Sequence, residues 1–341
     1  MQLRSPLLAT SLALAIASLA ACSSTQPPAA SAAPAPVAAA PAPAAAPITQ
    51  SNAAQAASAA YDFDMDVFHP VVGRSGMVAS EQELASRIGL QILKSGGNAV
   101  DAAVAMGFAL AVALPNAGNI GGGGFMVVHD AKSGKNIALD FREVAPSKAT
   151  RDMYVGADGK VIDGKSLYTH YAVGVPGTVA GMEHALKKWG SLPLSTVIAP
   201  AAKLADKGFT VSETLAKILE QEKKNMGQWP ATQAIFWRNG EPLKRGDRLV
   251  QKDLAQSLRL IGQQGSKVFY EGSIARKIAA EMAPHAGALS LQDLKSYKVA
   301  EREPLRGTYR GYEIVTMPPP SSGGAHLIQI LNMMERWPMN Q

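Results

Sequence analysis

The run AAVAMGFALAVAL, residues 102–114, contains no charged or polar side chain. As a helix it would be about 20 Å long, which is short of the roughly 30 Å hydrocarbon core of a membrane. A helix that is apolar around its whole circumference must instead be buried on every side by protein. Only a fold with several packed layers buries a helix so completely. The run therefore predicts a layered domain with this helix inside it.

The apolar run leads into GNIGGGGFMVV, residues 118–128, which contains four consecutive glycines. Such glycines either let backbone amides approach an anionic ligand or let the chain pack where no Cβ fits. Phosphate-binding glycine loops follow a strand and open a helix. Here the order is helix, glycines, strand, and the GKS or GKT ending of a P-loop is missing. This order favours packing, with the glycines holding the turn and the strand tightly against the apolar helix.

The chain beyond the glycines alternates strand and helix patterns. Residues 125–129 and 136–141 predict two antiparallel strands joined by a tight turn. Ser80 and Glu83 form a capping-box pattern for a first helix, and Asn98 is a predicted cap of the apolar helix. Helices are predicted at 182–189, 212–225, 254–263, 274–282 and 291–297, and strands at 234–237 and 311–316. Antiparallel strands mixed with long helices indicate the α+β class.

The first sixty residues differ from the rest in composition. A positive leader and the apolar residues 7–21 have the layout of a secretory signal peptide over residues 1–21. It ends in Leu-Ala-Ala-Cys, which resembles the lipobox of bacterial lipoproteins and implies that Cys22, the only cysteine, is lipidated. The alternative is ordinary cleavage after Ala20 or Ala21.

Residues 22–60 are rich in Ala and Pro, and their composition predicts a disordered tether before a folded region at 61–341. We therefore expect an exported, periplasmic protein held at a membrane by its lipid. The resemblance to lipoproteins implies the outer membrane, because Ser23 is not acidic. The net charge is +6, but the basic residues are interspersed with acidic ones, so nucleic acid is not an expected partner.

Long segments of the folded region resemble the large subunit of the γ-glutamyltranspeptidase family, in the family's order. They are GNAVDAAVAMGFALAV, NAGNIGGGGFMVV, LDFREVAPSKATRDMY, GVPGTVAGMEHAL, FYEGSIARKIAAEM and YRGYEIVTMPPPSSGGAHLIQIL. The resemblance implies an αββα N-terminal nucleophile (Ntn) hydrolase fold. It also implies transfer of γ-glutamyl groups from glutathione and related compounds to water or to amino-acid and peptide acceptors, without a cofactor.

One functional residue of the family has a match in this sequence. Arg142, in Asp-Phe-Arg-Glu, stands where the family has the arginine that binds the substrate α-carboxylate. A guanidinium pairs with a carboxylate through two parallel hydrogen bonds and stays charged at working pH. Arg142 also follows a predicted strand, where a loop can present its side chain to a cleft. The alternative is a surface arginine beside Glu143.

The resemblance also implies a threonine nucleophile that self-cleavage exposes at the start of the small subunit. No threonine of this sequence stands in that context, Thr169, Thr178 and Thr308 included. We therefore expect no catalytic residue in the 341 residues, which alone should be inactive and poorly stable without the small subunit. The alternatives are a truncated proenzyme or fragment, one half of a split pair, or a non-catalytic binding lipoprotein.

Two further patterns suggest no chemistry. The serines of PPPSSGG, residues 318–324, lie outside any G-x-S-x-G motif, and the segment is predicted to be structural. The six histidines show no HExxH or other tight ligand spacing, so scattered histidines are predicted rather than a metal site. They are His69, His129, His170, His184, His285 and His326.

Overall fold

The apolar run is helical in the computed structural model of the protein, which describes residues 72–338. These residues belong to a compact unit that spans Tyr61–Gln341. The predicted signal peptide, Cys22 and the predicted tether lie outside the described residues. No helix formed by residues 72–338 combines the length and the apolar character needed to cross a membrane.

The helices of the described residues are labelled in chain order. They are α1 (Glu83–Lys94), α2 (Ala99–Ala113), α3 (Lys165–Tyr168), α4 (Thr178–Trp189), α5 (Leu194–Lys207), α6 (Glu213–Gln221), α7 (Lys223–Met226), α8 (Pro230–Phe236), α9 (Lys252–Gln264), α10 (Lys267–Tyr270), α11 (Ser273–Met282), α12 (Leu291–Ser296) and α13 (Gly323–Met334). Two 3₁₀ turns lie at His170–Ala172 and Ala283–His285.

The strands form four antiparallel sheets within the described residues. They are β1 (Phe125–Asp130), β2 (Lys135–Asp140), β3 (Phe209–Thr210), β4 (Trp237–Arg238), β5 (Glu241–Pro242), β6 (Arg248–Leu249), β7 (Ala300–Arg302), β8 (Leu305–Tyr309) and β9 (Tyr312–Thr316). One sheet has the order β1-β2-β7, and the others pair β3 with β6, β4 with β5, and β8 with β9. The predicted hairpin is therefore β1-β2, with Phe125 opposite Asp140.

Helix α2 lies in the core, between α1, α5 and α4. Asn98 caps it as predicted, accepting hydrogen bonds from the amides of Val100 and Asp101, and the Asp101 carboxylate in turn accepts the Asn98 amide. Burial is less complete than predicted. Ala103 is exposed and Gly107 and Leu110 are half-buried, because this face of the helix borders a groove rather than a packed layer.

The predicted capping box of α1 is wrong. The Ser80 hydroxyl donates to the carbonyl of Gln82 at 2.8 Å and lies 2.8 Å from the Ser86 hydroxyl, and it does not accept a backbone amide. The helix begins at Glu83 with Gln82 as its N-cap, so it starts too late for Ser80 to cap it.

Residues 234–237 and helix α5 also differ from the sequence prediction. Residues 234–237 are mostly the end of α8, which begins at Pro230, and only Trp237 enters a strand. Helix α5 was not predicted, because Pro200 interrupts its pattern and proline normally disfavours a helix interior. Packing outweighs that cost, since α5 buries an apolar face against α9 and α2: Val197, Ile198, Ala201, Ala202 and Ala205.

Candidate functional site

Arg142 lies just beyond the end of β2, where hydrogen bonds fix its backbone on both sides. Its amide donates to Asp140 Oδ1 at 3.0 Å, and its carbonyl accepts the Tyr297 hydroxyl at 2.9 Å. The preceding residue, Phe141, extends the hairpin by pairing with Gly124. The sheet, α12 and the glycine turn thus hold the Arg142 backbone in one position.

The two groups that hold Arg142 are themselves fixed. Asp140 is buried and accepts a hydrogen bond from Arg302 Nε on β7 at 2.8 Å. Tyr297 stacks on Tyr270 with ring centroids 5.7 Å apart. Burial, together with the negative charges of Asp140 and Glu143, raises the pKa of the Tyr297 hydroxyl. The hydroxyl therefore stays protonated and keeps donating to Arg142 across the neutral pH range.

The glycines pack chiefly against the segment that carries Arg142. A Cβ on Gly123 would lie 2.6 Å from the carbonyl oxygen of Phe141 and 2.7 Å from the amide nitrogen of Glu143, and one on Gly124 would lie 2.9 Å from the Phe141 ring. Only Gly118 meets α2, at the carbonyl of Leu110. The packing role is therefore confirmed, but the partner of the run is mainly the Arg142 segment rather than the apolar helix.

Backbone amides at the start of α4 form hydrogen bonds within the protein. The Gly122 carbonyl accepts the amides of Gly177 and Thr178 at 2.7 and 3.0 Å. The Tyr270 hydroxyl accepts the amide of Ala180 at 3.2 Å, so three amides at this helix start already have partners within the protein, which disfavours an anion site there.

Asp293 fixes the loop that follows Arg142. Its carboxylate accepts the Ser147 amide at 2.8 Å, and it also accepts the amide and hydroxyl of Ser290, the N-cap of α12. Burial opposes ionisation of Asp293, but the hydrogen bonds from Ser290 and Ser147 outweigh it and lower its pKa to about 2. Helix α12 thus holds the loop through Asp293 at one end and Tyr297 at the other.

These elements surround a cleft of about 570 Å³. Among the described residues that line the cleft, Arg142 and Glu143 are the charged ones, and none is a serine, threonine or cysteine. The Tyr154 hydroxyl closes one wall by donating to the Tyr171 carbonyl at 3.1 Å. A larger groove of about 790 Å³ lies between α1 and α5, and the charged residues of its lining are all basic: Arg87, Lys203, Lys207 and Arg248. The Arg142 cleft has a cation and an anion in its lining, so it is the better candidate for binding a small molecule that carries both charges.

The Arg142 side chain is exposed at this cleft. Among residues 72–338 no carboxylate lies within ion-pair distance of its guanidinium, in contrast to Arg302 with Asp140. The guanidinium lies 5.9 Å from the centroid of the Phe125 ring, a contact that leaves its donors free. A fixed backbone and a free guanidinium suit the binding of a carboxylate from outside the chain.

A family model described as Gamma-glutamyltranspeptidase matches residues 85–341. The chain belongs to the γ-glutamyltranspeptidase family. It is 51% identical to the glutathione hydrolase proenzyme of Escherichia coli strain K12 over 290 residues, which are 85% of this chain and 50% of that protein. It is 41% identical to the Acylase ACY 1 proenzyme of Pseudomonas sp. strain V22, covering 78% of this chain and 49% of that protein.

Among solved structures, Helicobacter pylori γ-glutamyltranspeptidase superposes with a TM-score of 0.77 at 48% identity, covering 79% of this chain and 78% of that one. This neighbour confirms the predicted α+β class and Ntn hydrolase fold. The chain spans about half the length of the curated relatives it matches.

The structure places Arg142, the one sequence-predicted site residue it describes, in the cleft. Sequence reasoning missed the residues that fix it, Tyr297, Asp293 and the pair Asp140–Arg302. No local signal could have found the distant partners, because Tyr297 is 155 positions from Arg142, Asp293 is 146 from Ser147 and Arg302 is 162 from Asp140. Asp140 itself is only two positions from Arg142.

Proposed function

We propose that the protein hydrolyses γ-glutamyl amides such as glutathione, or transfers their γ-glutamyl group to amino-acid or peptide acceptors. The observation that carries the proposal is the free guanidinium of Arg142 at a cleft, in a chain that belongs to the γ-glutamyltranspeptidase family. In this proposal the guanidinium binds the α-carboxylate of the γ-glutamyl group through paired hydrogen bonds.

The second charged group of the cleft supports the same substrate class. A γ-glutamyl group carries an α-ammonium beside its α-carboxylate, and Glu143 is next to Arg142 in the cleft lining. A cation and an anion on adjacent residues match a zwitterion better than they match a simple carboxylic acid. We assign the α-ammonium to Glu143 as part of the proposal.

The proposal concerns the whole protein, because the chain spans about half the length of its curated relatives. The family resemblance implies a threonine nucleophile. We propose that it comes from a part of the protein that corresponds to the half of the curated relatives outside the match with this chain. Its hydroxyl would attack the γ-glutamyl carbonyl and give its proton to the α-amine that self-cleavage exposes. The amide C–N bond would then break, the leaving amine would take that proton, and the γ-glutamyl ester left on the threonine would be cleaved by water or by an acceptor amine. Arg142 then acts by fixing the carbonyl in position for that attack.

The second candidate is an acylase that acts on amides of other acyl groups. The observation in its favour is the 41% identity to the Acylase ACY 1 proenzyme, although this is lower than the 51% identity to the glutathione hydrolase proenzyme. The two candidates differ in whether the acyl group must carry both an α-carboxylate and an α-ammonium.

Three p-nitroanilides separate the candidates when tested on the self-cleaved, two-part protein. The γ-glutamyl compound has both charged groups, the 4-aminobutanoyl compound lacks the carboxylate, and the glutaryl compound lacks the ammonium. We expect release of p-nitroaniline from the first to exceed release from either other compound by at least about tenfold in kcat/KM, the cost of one lost charged hydrogen bond. Equal or faster cleavage of the glutaryl compound would instead establish the acylase.

A further inference from the structure

Two histidines that are far apart in the sequence meet on one carboxylate. His170 lies in the 3₁₀ turn after α3, His285 lies in the 3₁₀ turn after α11, and Glu281 is near the end of α11. Both Nε2 atoms approach Glu281 Oε1, His170 at 3.4 Å and His285 at 3.5 Å. The three ligand atoms all lie within 4.8 Å of one another. The prediction of scattered histidines is therefore wrong for this pair.

Both contacts are longer than a hydrogen bond between charged groups and are close to the spacing of two ligands on one metal ion. A charge-assisted N–H···O bond is about 2.7–2.9 Å long, which is shorter than both distances. A tetrahedral zinc ion with ligands at about 2.0–2.1 Å places neighbouring ligand atoms roughly 3.4 Å apart. We propose that His170, Glu281 and His285 form a binding site for a divalent transition-metal ion of the zinc type. The proposal of this site does not rest on the γ-glutamyl activity proposed above.

A second histidine–carboxylate cluster of the protein differs from this one, because a lysine also binds its carboxylate. Glu301 accepts His184 Nε2 at 2.7 Å, and the Lys188 ammonium lies 2.5 Å from the same carboxylate. There the lysine already supplies the positive charge. Among residues 72–338 no lysine or arginine forms an ion pair with Glu281, and the side chains within ion-pair distance of its carboxylate are those of the two histidines. Two imidazoles and one carboxylate are a donor set that suits a divalent transition-metal ion.

The rings must rearrange when the ion binds. The imidazoles of His170 and His285 are stacked, with centroids 4.2 Å apart and planes 12° apart. The lone pair of Nε2 lies in the ring plane, so one ion cannot lie in both of these parallel planes. His170 is mostly buried and His285 is 42% exposed, so the His285 ring has more room to turn. Trp229 contacts both rings edge-on and would report the movement.

The position of the site ties it to the Arg142 cleft. His170 directly precedes Tyr171 and Ala172, which line that cleft. A metal ion shared by His170 and Glu281 would therefore attach this wall of the cleft to the end of α11. We expect the ion to slow amide hydrogen exchange in the segment 169–173.

The test is calorimetric titration of Zn²⁺ into untagged protein that has first been treated with a chelator. We expect one saturable site per chain, with affinity reduced more than about tenfold in His285→Ala and in Glu281→Gln. His184→Ala is the matched control, because it removes a histidine from a carboxylate that a lysine already neutralises, and its affinity should equal that of the parent.

Thermal unfolding of the metal-free variants shows whether they are folded, and both altered side chains are solvent-exposed, so we expect unchanged melting. Absence of a saturable site in the parent would overturn the proposal. So would equal affinity in His285→Ala and the parent, or an equal loss in His184→Ala. In those cases the cluster is an ordinary pair of histidines beside a glutamate.

Discussion

Arg142 combines a fixed backbone with a free side chain. Its amide and carbonyl are bound by Asp140 and Tyr297, while its guanidinium is exposed at the cleft. This division suits a residue that binds a ligand, because the groups that position it do not compete for its charged donors.

Replacing Arg142 by lysine should weaken substrate binding without harming the fold. Lysine keeps the positive charge but loses the planar pair of donors, which should cost on the order of 1.5–3 kcal/mol. We expect a higher KM for the γ-glutamyl p-nitroanilide in the self-cleaved protein, with self-cleavage itself unaffected. Arg151→Lys, at an exposed position outside the cleft lining, is the control. An unchanged KM in Arg142→Lys would remove Arg142 from the site.

Two neighbouring glycines should respond very differently to alanine. A Cβ on Gly123 would lie within 3 Å of the backbone of the Arg142 segment, whereas one on Gly121 would meet only the Asn119 side chain at 3.8 Å. Gly123→Ala must therefore displace backbone and should lower the free energy of unfolding by about 1–3 kcal/mol. Gly121→Ala should be close to neutral. Urea denaturation of both variants checks this, and equal stabilities would contradict the packing role.

At the scale of elements, the short helix α12 acts as a clamp on the loop after β2. The clamp depends on Asp293, whose pKa in the folded protein is lowered to about 2 from an ordinary value of 3.8. A carboxyl with a depressed folded pKa stabilises the protein above its unfolded pKa and loses that contribution as the pH falls through the folded value. The contribution should therefore be complete near neutral pH and decline between about pH 4 and pH 2.

The Asp293→Asn variant tests this contribution. We expect it to be less stable than the parent by on the order of 2 kcal/mol at pH 7, with the difference shrinking as the pH falls toward 2. Asp163→Asn, at an exposed position, serves as the control. Urea unfolding measured across this pH range gives the comparison, and a difference that did not depend on pH would refute the carboxylate's role.

Elements were predictable from the sequence where the pattern is local. The hairpin, the Asn98 cap and the apolar helix follow from residues close together in the chain. Helix α5 was missed because Pro200 interrupts its helical pattern and because its stability comes from packing on α9 and α2.

Contacts between distant segments also limited the prediction of the site. Motif resemblance identified Arg142, whereas its supports and the His170–His285 pair depend on contacts between distant segments.

At the scale of the whole molecule, the sequence predicts that the protein is held at a membrane through Cys22. The Leu-Ala-Ala-Cys ending of the leader implies lipidation, and stable attachment needs more than one acyl chain. Metabolic labelling with a palmitate analogue should mark the parent and not Cys22→Ala. Equal labelling of the two proteins would exclude the anchor and leave ordinary signal cleavage.

The described residues also expose an apolar stripe on α13 and the residues after it. Leu327, Ile330, Met333 and Trp337 recur every three or four positions, and each is 43–58% exposed. The opposite side of α13 packs on β8, where Ile328 contacts Gly307. A stripe of this kind is typical of a surface that another protein layer covers.

We therefore expect residues 61–341, expressed without residues 1–60, to self-associate as concentration rises. Changing Leu327 and Ile330 together to lysine should reduce association without lowering the melting temperature, because both side chains are already partly in water. Val161→Lys is the control, since Val161 is 72% exposed but lies apart from the stripe. Sedimentation velocity over a concentration series gives the measurement. A parent that stays monomeric, or a double variant that associates as strongly as the parent, would show that the stripe is not an interaction surface.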